Sequence, residues 1–184
     1  MEAMKHMMID IETLDTATTA VVTQVGWCIF DRESVDSPVE MALDIDEQLR
    51  KGRTVRADTL KWWMQQPDIA RQKVFDPEDV YTTAYLTTRL KMILSNGTIE
   101  CVWSHGPAFD IATLKSLLGV EPWDFRTLRD TRTLAMLAPS AHKPAPLTKH
   151  SAGDDAHAQA QWVQNMWREL GDNLDDEYRR GIGL

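Results

Sequence analysis

Met7-Met8-Ile9-Asp10-Ile11-Glu12-Thr13 is an apolar strand pattern interrupted by two acids. The run over residues 5–11 reads as a buried strand, and an ionised carboxylate in such a run is costly unless something compensates its charge. On a strand, residues i and i+2 face the same side. Asp10 and Glu12 therefore present their carboxylates to one point, while Ile11 turns to the opposite face. Two such charges repel unless a cation sits between them. Hard oxygen donors of this kind suit Mg2+ or Mn2+.

Other acids lie where acids are locally expensive. Asp110 sits between Phe109 and Ile111, just past the strand-like Ile99 to Ser104 and the breaker His105-Gly106-Pro107. It opens a helix, where a carboxylate is favoured by the dipole by roughly 0.3–1 kcal/mol; alone it would read as a plain helix-capping acid. Asp154 and Asp155 both fall in the first turn of a final helix, and spacing does not choose between them. His150 lies just before that helix, on a loop, a suitable place for a general base near neutral pH. His6, His142 and His157 carry no argument beyond surface or packing roles.

Around these residues the chain alternates strands and helices. Residues 20–30 and 39–45 read as a second and third strand, joined by connections short enough for antiparallel neighbours. Helices are predicted over 58–66, 68–74 and 79–95, the last closed by Asn96-Gly97. A fourth strand at 99–104, a helix at 110–118 ended by Gly119, and a short fifth strand at 127–131 follow. That strand runs into a helix through Leu137. A proline-containing loop over 139–149 precedes the last helix, 152–170. This order predicts a mixed α/β sheet with helices packed on it. Residues 1–170 form one expected domain and 171–184 a polar C-terminal tail that frays.

The composition sets bounds on function. The 184 residues are 43% apolar and 26% charged, ordinary values for one globular domain. A net charge of −8 argues against broad electrostatic binding to duplex DNA. It is compatible with an enzyme that grips a few nucleotides through metal ions. Cys28 and Cys101 each lie in a strand-like run and read as buried thiols of a reducing compartment, with no zinc-site spacing. Met1 to Met8 lacks the apolar core of a signal peptide, and no apolar run is long enough to cross a membrane. A cytoplasmic protein is expected.

The motifs, in order, resemble those of the DEDD 3′-5′ exonucleases. Asp10-Ile11-Glu12-Thr13 looks like the first motif, and Trp103-Ser104-His105-Gly106-Pro107-Ala108-Phe109-Asp110 the second. His150-Ser151-Ala152-Gly153-Asp154-Asp155-Ala156 is similar to the third in its histidine form, H-x-A-x-x-D-A. That match selects Asp155 over Asp154, and Ser151 stands where the tyrosine form would need Tyr. The motifs span residues 10–156. Thr59-Leu60-Lys61-Trp62-Trp63 and Arg129-Asp130-Thr131-Arg132-Thr133 resemble most the small phage exonuclease A and mycobacterial RNase AS type.

The resemblance implies a ribonuclease H-like fold, a mixed five-stranded sheet flanked by helices, and two-metal hydrolysis. Asp10, Glu12 and Asp155 would hold one Mg2+ or Mn2+. Asp10 with Asp110, directly or through water, would hold a second, about 3.5–4 Å away. His150 would take the proton of the attacking water, and a nucleoside 5′-monophosphate would leave. The implied partner is the 3′ end of single-stranded DNA or RNA, and relatives of this type are often homodimers. Around the centre, Leu14 is expected to wedge against the terminal base and Thr13 to bond the terminal sugar. One of Trp62 and Trp63, about 100° apart on a helix, would stack on a base while the other packs inward. His105 and Phe109 would line the nucleotide pocket. Arg129 and Arg132 are candidate phosphate contacts, unless Asp130 pairs with either. Competing readings are a non-catalytic nucleic-acid-binding module on the same fold and an endonuclease of another ribonuclease H-like branch. The intact acids and histidine argue against the first, the H-x4-D spacing against the second.

Overall fold

The computed structural model describes residues 4–171, so the tail expected at 171–184 lies, beyond Gly171, outside the described residues. Five strands form one sheet in the order β3-β2-β1-β4-β5. They are β1 (Lys5–Thr13), β2 (Val22–Phe30), β3 (Val39–Ala42), β4 (Ile99–Ser104) and β5 (Leu128–Asp130). β1 pairs antiparallel with β2, and β2 with β3; β4 runs parallel to β1 and β5 parallel to β4. The mixed sheet and its short antiparallel connections agree with the sequence reading.

The helices are α1 (Ile45–Arg50), α2 (Ala57–Trp63), α3 (Asp68–Phe75), α4 (Thr83–Ser95), α5 (Asp110–Leu118), α6 (Thr131–Leu137) and α7 (Ala152–Leu170). Helix α1 was not expected, α2 ends at Trp63 rather than 66, and two further boundaries differ for a visible reason. The third strand stops at Ala42, because Asp44 caps α1 by accepting the Glu47 amide at 2.8 Å. The alternation of Val39, Met41, Leu43 and Ile45 carried the strand reading past that cap. In α1 the buried Gln48 side chain accepts from Val22 N at 2.9 Å and donates to Val22 O at 2.7 Å, supplying both bonds a neighbouring strand would make there. The fourth helix begins at Thr83 rather than near 79, since the Thr82 hydroxyl takes the Tyr85 amide.

Alternation along the central strands separates two cores. Met7, Ile9 and Ile11 of β1, with Val25 and Trp27 of β2, pack against Leu86 and Leu90 of α4 and Ile111 and Leu114 of α5. On the other face Met8, Cys28, Cys101 and Trp103 pack against Ala156, Ala160 and Val163 of α7. Asp10 and Glu12 share this α7 face. A third cluster, Leu14, Val21, Trp63, Ala70 and Val74, fixes α2 and α3 beside the end of β1.

The approach of α7 depends on one residue. Gly26 pairs with Asp10 on one side and with Glu40 of β3 on the other. A Cβ there would lie 2.0 Å from the Ala152 carbonyl carbon and 2.2 Å from Gly153 N. The missing side chain lets the first turn of α7 rest directly on the strand. Among the described residues no helix is long and apolar enough to cross a membrane.

Candidate active site

Asp10 and Glu12 lie at the C-terminal end of β1, under the N-terminus of α7. Asp110 comes from the first turn of α5, next to Gly106, which turns the chain at φ 111. Asp155 comes from the first turn of α7. Asp110 does not cap its helix: Phe109 occupies the cap position without a side-chain bond, and Asp110 is buried. Asp155 holds the preceding loop instead, its Oδ2 accepting the His150 amide at 2.9 Å. Asp154 faces elsewhere, accepting the Thr148 amide at 3.1 Å and lying 3.8 Å from Lys73 Nζ. Asp155, not Asp154, is the acid that stands with Glu12 and His150.

His150 is the one non-glycine residue at positive φ among the described residues (φ 63). This sparsely populated backbone region turns its ring inward. Nδ1 lies 4.0 Å from Glu12 Oε1. One ligand atom each from Glu12, His150 and Asp155 lie within 4.8 Å of one another.

The electrostatics show an acidic cluster in which burial outweighs the opposing charges of Lys143 and Arg132. Burial raises the Asp10 pKa well above the ordinary carboxylate range, and Asp110 and Asp155 raise it further. Glu12 is raised by burial and then by Asp10, Asp155 and Asp110. Burial pushes Asp110 up to about 7 against the opposing charge of Arg132. Asp155 is raised by burial, opposed by the His150 and Ser151 amides. His150 moves the other way, lowered by burial and by Lys149. Four carboxylates pressed towards protonation by burial, two of them (Asp10 and Glu12) also by the other acids, are a donor set that would suit a divalent cation.

The residues expected around the centre separate. Trp63 is core, 1% exposed, with Nε1 donating to Thr13 O at 2.9 Å. Trp62 is 41% exposed, its ring perpendicular to that of His150 at 4.8 Å. With Glu12, Thr13, Arg56, Thr59 and Phe109 it lines an open groove beside the acids. The Thr13 hydroxyl donates to Asp15 O at 2.7 Å. Leu14 is buried against Val21 and Trp63, so a wedging role would require that cluster to open. His105 is not on the groove wall: Nδ1 meets the Thr131 hydroxyl at 2.7 Å and the ring leans on Trp162. Burial, Lys143 and Arg132 lower its pKa to about 4. Asp130 caps α6 through the Arg132 amide and also takes the Thr133 hydroxyl. Arg129 donates to the carbonyls of Arg126 and Leu128.

Gln159, one helical turn beyond Asp155, was missed by the motifs. Its Nε2 donates to Asp10 Oδ1 at 2.8 Å, while its buried Oε1 has no hydrogen-bond partner among the described residues. The i, i+4 spacing from Asp155 was the available signal. Gln159→Leu removes the bond that orients Asp10. The expected result is a rise of about 10-fold or more in the Mn2+ concentration needed for half-saturation, measured by calorimetry. Unchanged affinity would leave Gln159 as mere packing.

A family model described as the 3′-5′ exoribonuclease Rv2179c-like domain matches residues 5–167. No curated protein matches the chain. Among solved structures, E. coli exonuclease I with a dT13 oligonucleotide is 14% identical with a TM-score of 0.58, covering 90% of this chain and 40% of that one. An ExoI/SSB-Ct complex is 13% identical with a TM-score of 0.67, covering 97% and 44%. Exonuclease X with 5′ overhanging duplex DNA is 15% identical with a TM-score of 0.52, covering 87% and 89%. The chain spans less than half the length of these exonuclease I structures. At such identities the likeness is one of fold, and it agrees with the ribonuclease H-like sheet expected from the motifs.

Proposed function

The chain belongs to the Rv2179c-like 3′-5′ exoribonuclease domain family, and from that membership we propose that it removes nucleoside 5′-monophosphates one at a time from the 3′ end of single-stranded or short nucleic acid. The observation that carries the reading is the meeting of Glu12, Asp155 and His150 at the end of β1, beside Asp10. The family's description favours ribonucleotide ends as the first substrate class.

Asp10, Glu12, Asp110 and Asp155 would hold two divalent cations, Mg2+ or Mn2+. The unpaired Gln159 Oε1 and the raised carboxylates fit that occupancy. When bound, the ions supply positive charge to the phosphoryl group and lower the pKa of water. The chain's own residues do the rest. The groove between Trp62 and Phe109 receives the terminal nucleotide, with Trp62 offering a face for base stacking. His150 accepts a proton from the water whose oxygen bonds to the last phosphorus. The bond from that phosphorus to the preceding 3′-oxygen breaks, and the 3′-oxygen takes up a proton as it leaves. A lowered imidazole pKa keeps His150 neutral, hence able to accept a proton, at pH 7. Cytoplasmic action is part of this proposal.

The test is incubation with 5′-labelled RNA and DNA strands of matched sequence, with Mg2+ or Mn2+ and with EDTA. The proposal expects a metal-dependent ladder of single-nucleotide steps from the 3′ end. Absence of cleavage on both strands by metal-loaded protein would instead favour a binding module, and internal cuts an endonuclease.

His150→Ala should lower kcat by about 10²–10⁴-fold, with KM within about twofold. In the parent enzyme the rate should fall as acid protonates the imidazole, at a pH below the ordinary histidine range. The variant's residual rate should lack that limb. Full activity of His150→Ala across neutral pH would remove the histidine from the mechanism.

A further inference from the structure

Nothing in the catalytic motifs explains how the first turn of α7 is held, yet that turn delivers both Asp155 and His150. Ser151 occupies its cap position but makes no side-chain bond to the helix amides, unlike an ordinary capping serine. The task passes to Glu40 on β3. Its Oε2 accepts the Gly153 amide at 3.0 Å and also the Ser151 hydroxyl. Its Oε1 is 3.2 Å from Lys73 Nζ. Lys73, on α3, also donates to Ser151 Oγ at 2.8 Å and lies 3.8 Å from Asp154. Glu40, Gly26 and Asp10 form one cross-strand row on the face that α7 covers. The same strands therefore carry a metal-binding carboxylate on one side of α7's first turn and its clamp on the other. Lys73 ties that clamp to α3, which packs through Ala70 and Val74 against Trp63 and so backs the groove wall.

We propose that Glu40 and Lys73 are positioning residues of the metal centre: they grip the first turn of α7 and thereby set Asp155 and His150 against Glu12. Neither touches the reacting atoms. The consequence for catalysis rests on the exonuclease reading; the consequence for metal affinity requires only that the acids bind a divalent cation.

The experiment compares Glu40→Gln and Lys73→Gln with the parent protein. Mn2+ binding is measured by electron paramagnetic resonance without substrate, and kcat and KM are measured on an oligonucleotide at several Mn2+ concentrations. Both variants should bind Mn2+ about 10–100-fold more weakly. At moderate Mn2+ kcat should fall while KM stays within about twofold, and excess Mn2+ should restore much of kcat. Lys73 is partly exposed, so its variant tests the proposal even if Glu40→Gln folds poorly. Parent-like Mn2+ affinity in the folded variants, whatever their thermal stability, would reduce the clamp to scaffolding and overturn the proposal. Weakened Mn2+ binding in a protein whose parent cleaves nothing would sustain the clamp's effect on the metal site while sinking the exonuclease reading.

Discussion

Asp10→Asn should abolish nucleotide release, a loss of at least about 10³-fold, and at the same time make the metal-free protein more stable at neutral pH. The first effect follows from the position of Asp10, which faces Asp110 and Asp155 in charge terms and would serve both ions. The second follows from linkage. A carboxyl whose pKa is raised on folding binds its proton more tightly in the folded chain than in the unfolded one. Stability then falls as pH rises from the unfolded value, near 4, through the raised folded value. Asp10, Glu12 and Asp110 all have this sign, the last with a value of about 7. The parent without metal should therefore melt at a lower temperature at pH 7.5 than at pH 5.5, and added Mn2+ should reverse much of that loss at the higher pH. Asparagine keeps an oxygen to accept the Gln159 bond and carries no charge, so the variant should show a flatter pH dependence. Calorimetric melting across pH, with and without metal, checks this. A metal-free Asp10→Asn protein that melts below its parent at pH 7.5 would contradict it.

Gly26→Ala should be nearly as damaging, although Gly26 lies in no motif and touches no substrate. The added methyl would stand 2.0 Å from a backbone carbon and 2.2 Å from a backbone nitrogen of α7. Neither can rotate aside, so the first turn of α7 must lift by an ångström or more. That stretches the Gly153–Glu40 bond and moves Asp155 and His150 together. A misplacement of that size can cost about 10²-fold in rate, and the overpacking about 1–3 kcal/mol of stability. The variant should stay folded by circular dichroism while its activity collapses and its melting point drops. Parent-like activity would mean that α7 reaches its seat by another route.

The strands and acids were legible because their signals are local. Period-two alternation in Met7 to Ile11 gave β1 and the shared face of Asp10 and Glu12, and Gly119, in the left-handed conformation at φ 65, ended α5 where its turn chemistry requires. Contacts across the sheet were not legible. Nothing near Glu40 in sequence indicates that it meets Gly153, 113 residues later. Gly26 offered only an isolated glycine in a strand. The tryptophan pair shows the boundary clearly. Helical geometry required the two rings to diverge, but only α3 and Leu14 decide that Trp63 turns inward and Trp62 stays at the groove. The same packing draws Leu14 into the core, which its place after the first motif could not reveal. Gln48 escaped notice because its role is that of a strand neighbour carried on a helix.

Cys28 sits beneath α7, with Sγ 3.7 Å from the Ala156 carbonyl, and burial raises its thiol pKa to about 12; the Cys101 thiol on the same face rises to about 11. Alkylating reagents attack thiolates in contact with solvent, so both sulfurs should be inert while α7 is seated. Their slow labelling becomes a clock for the lifting of that helix, and the ratio of its rate to that of an unfolded cysteine measures how seldom the catalytic face is bared.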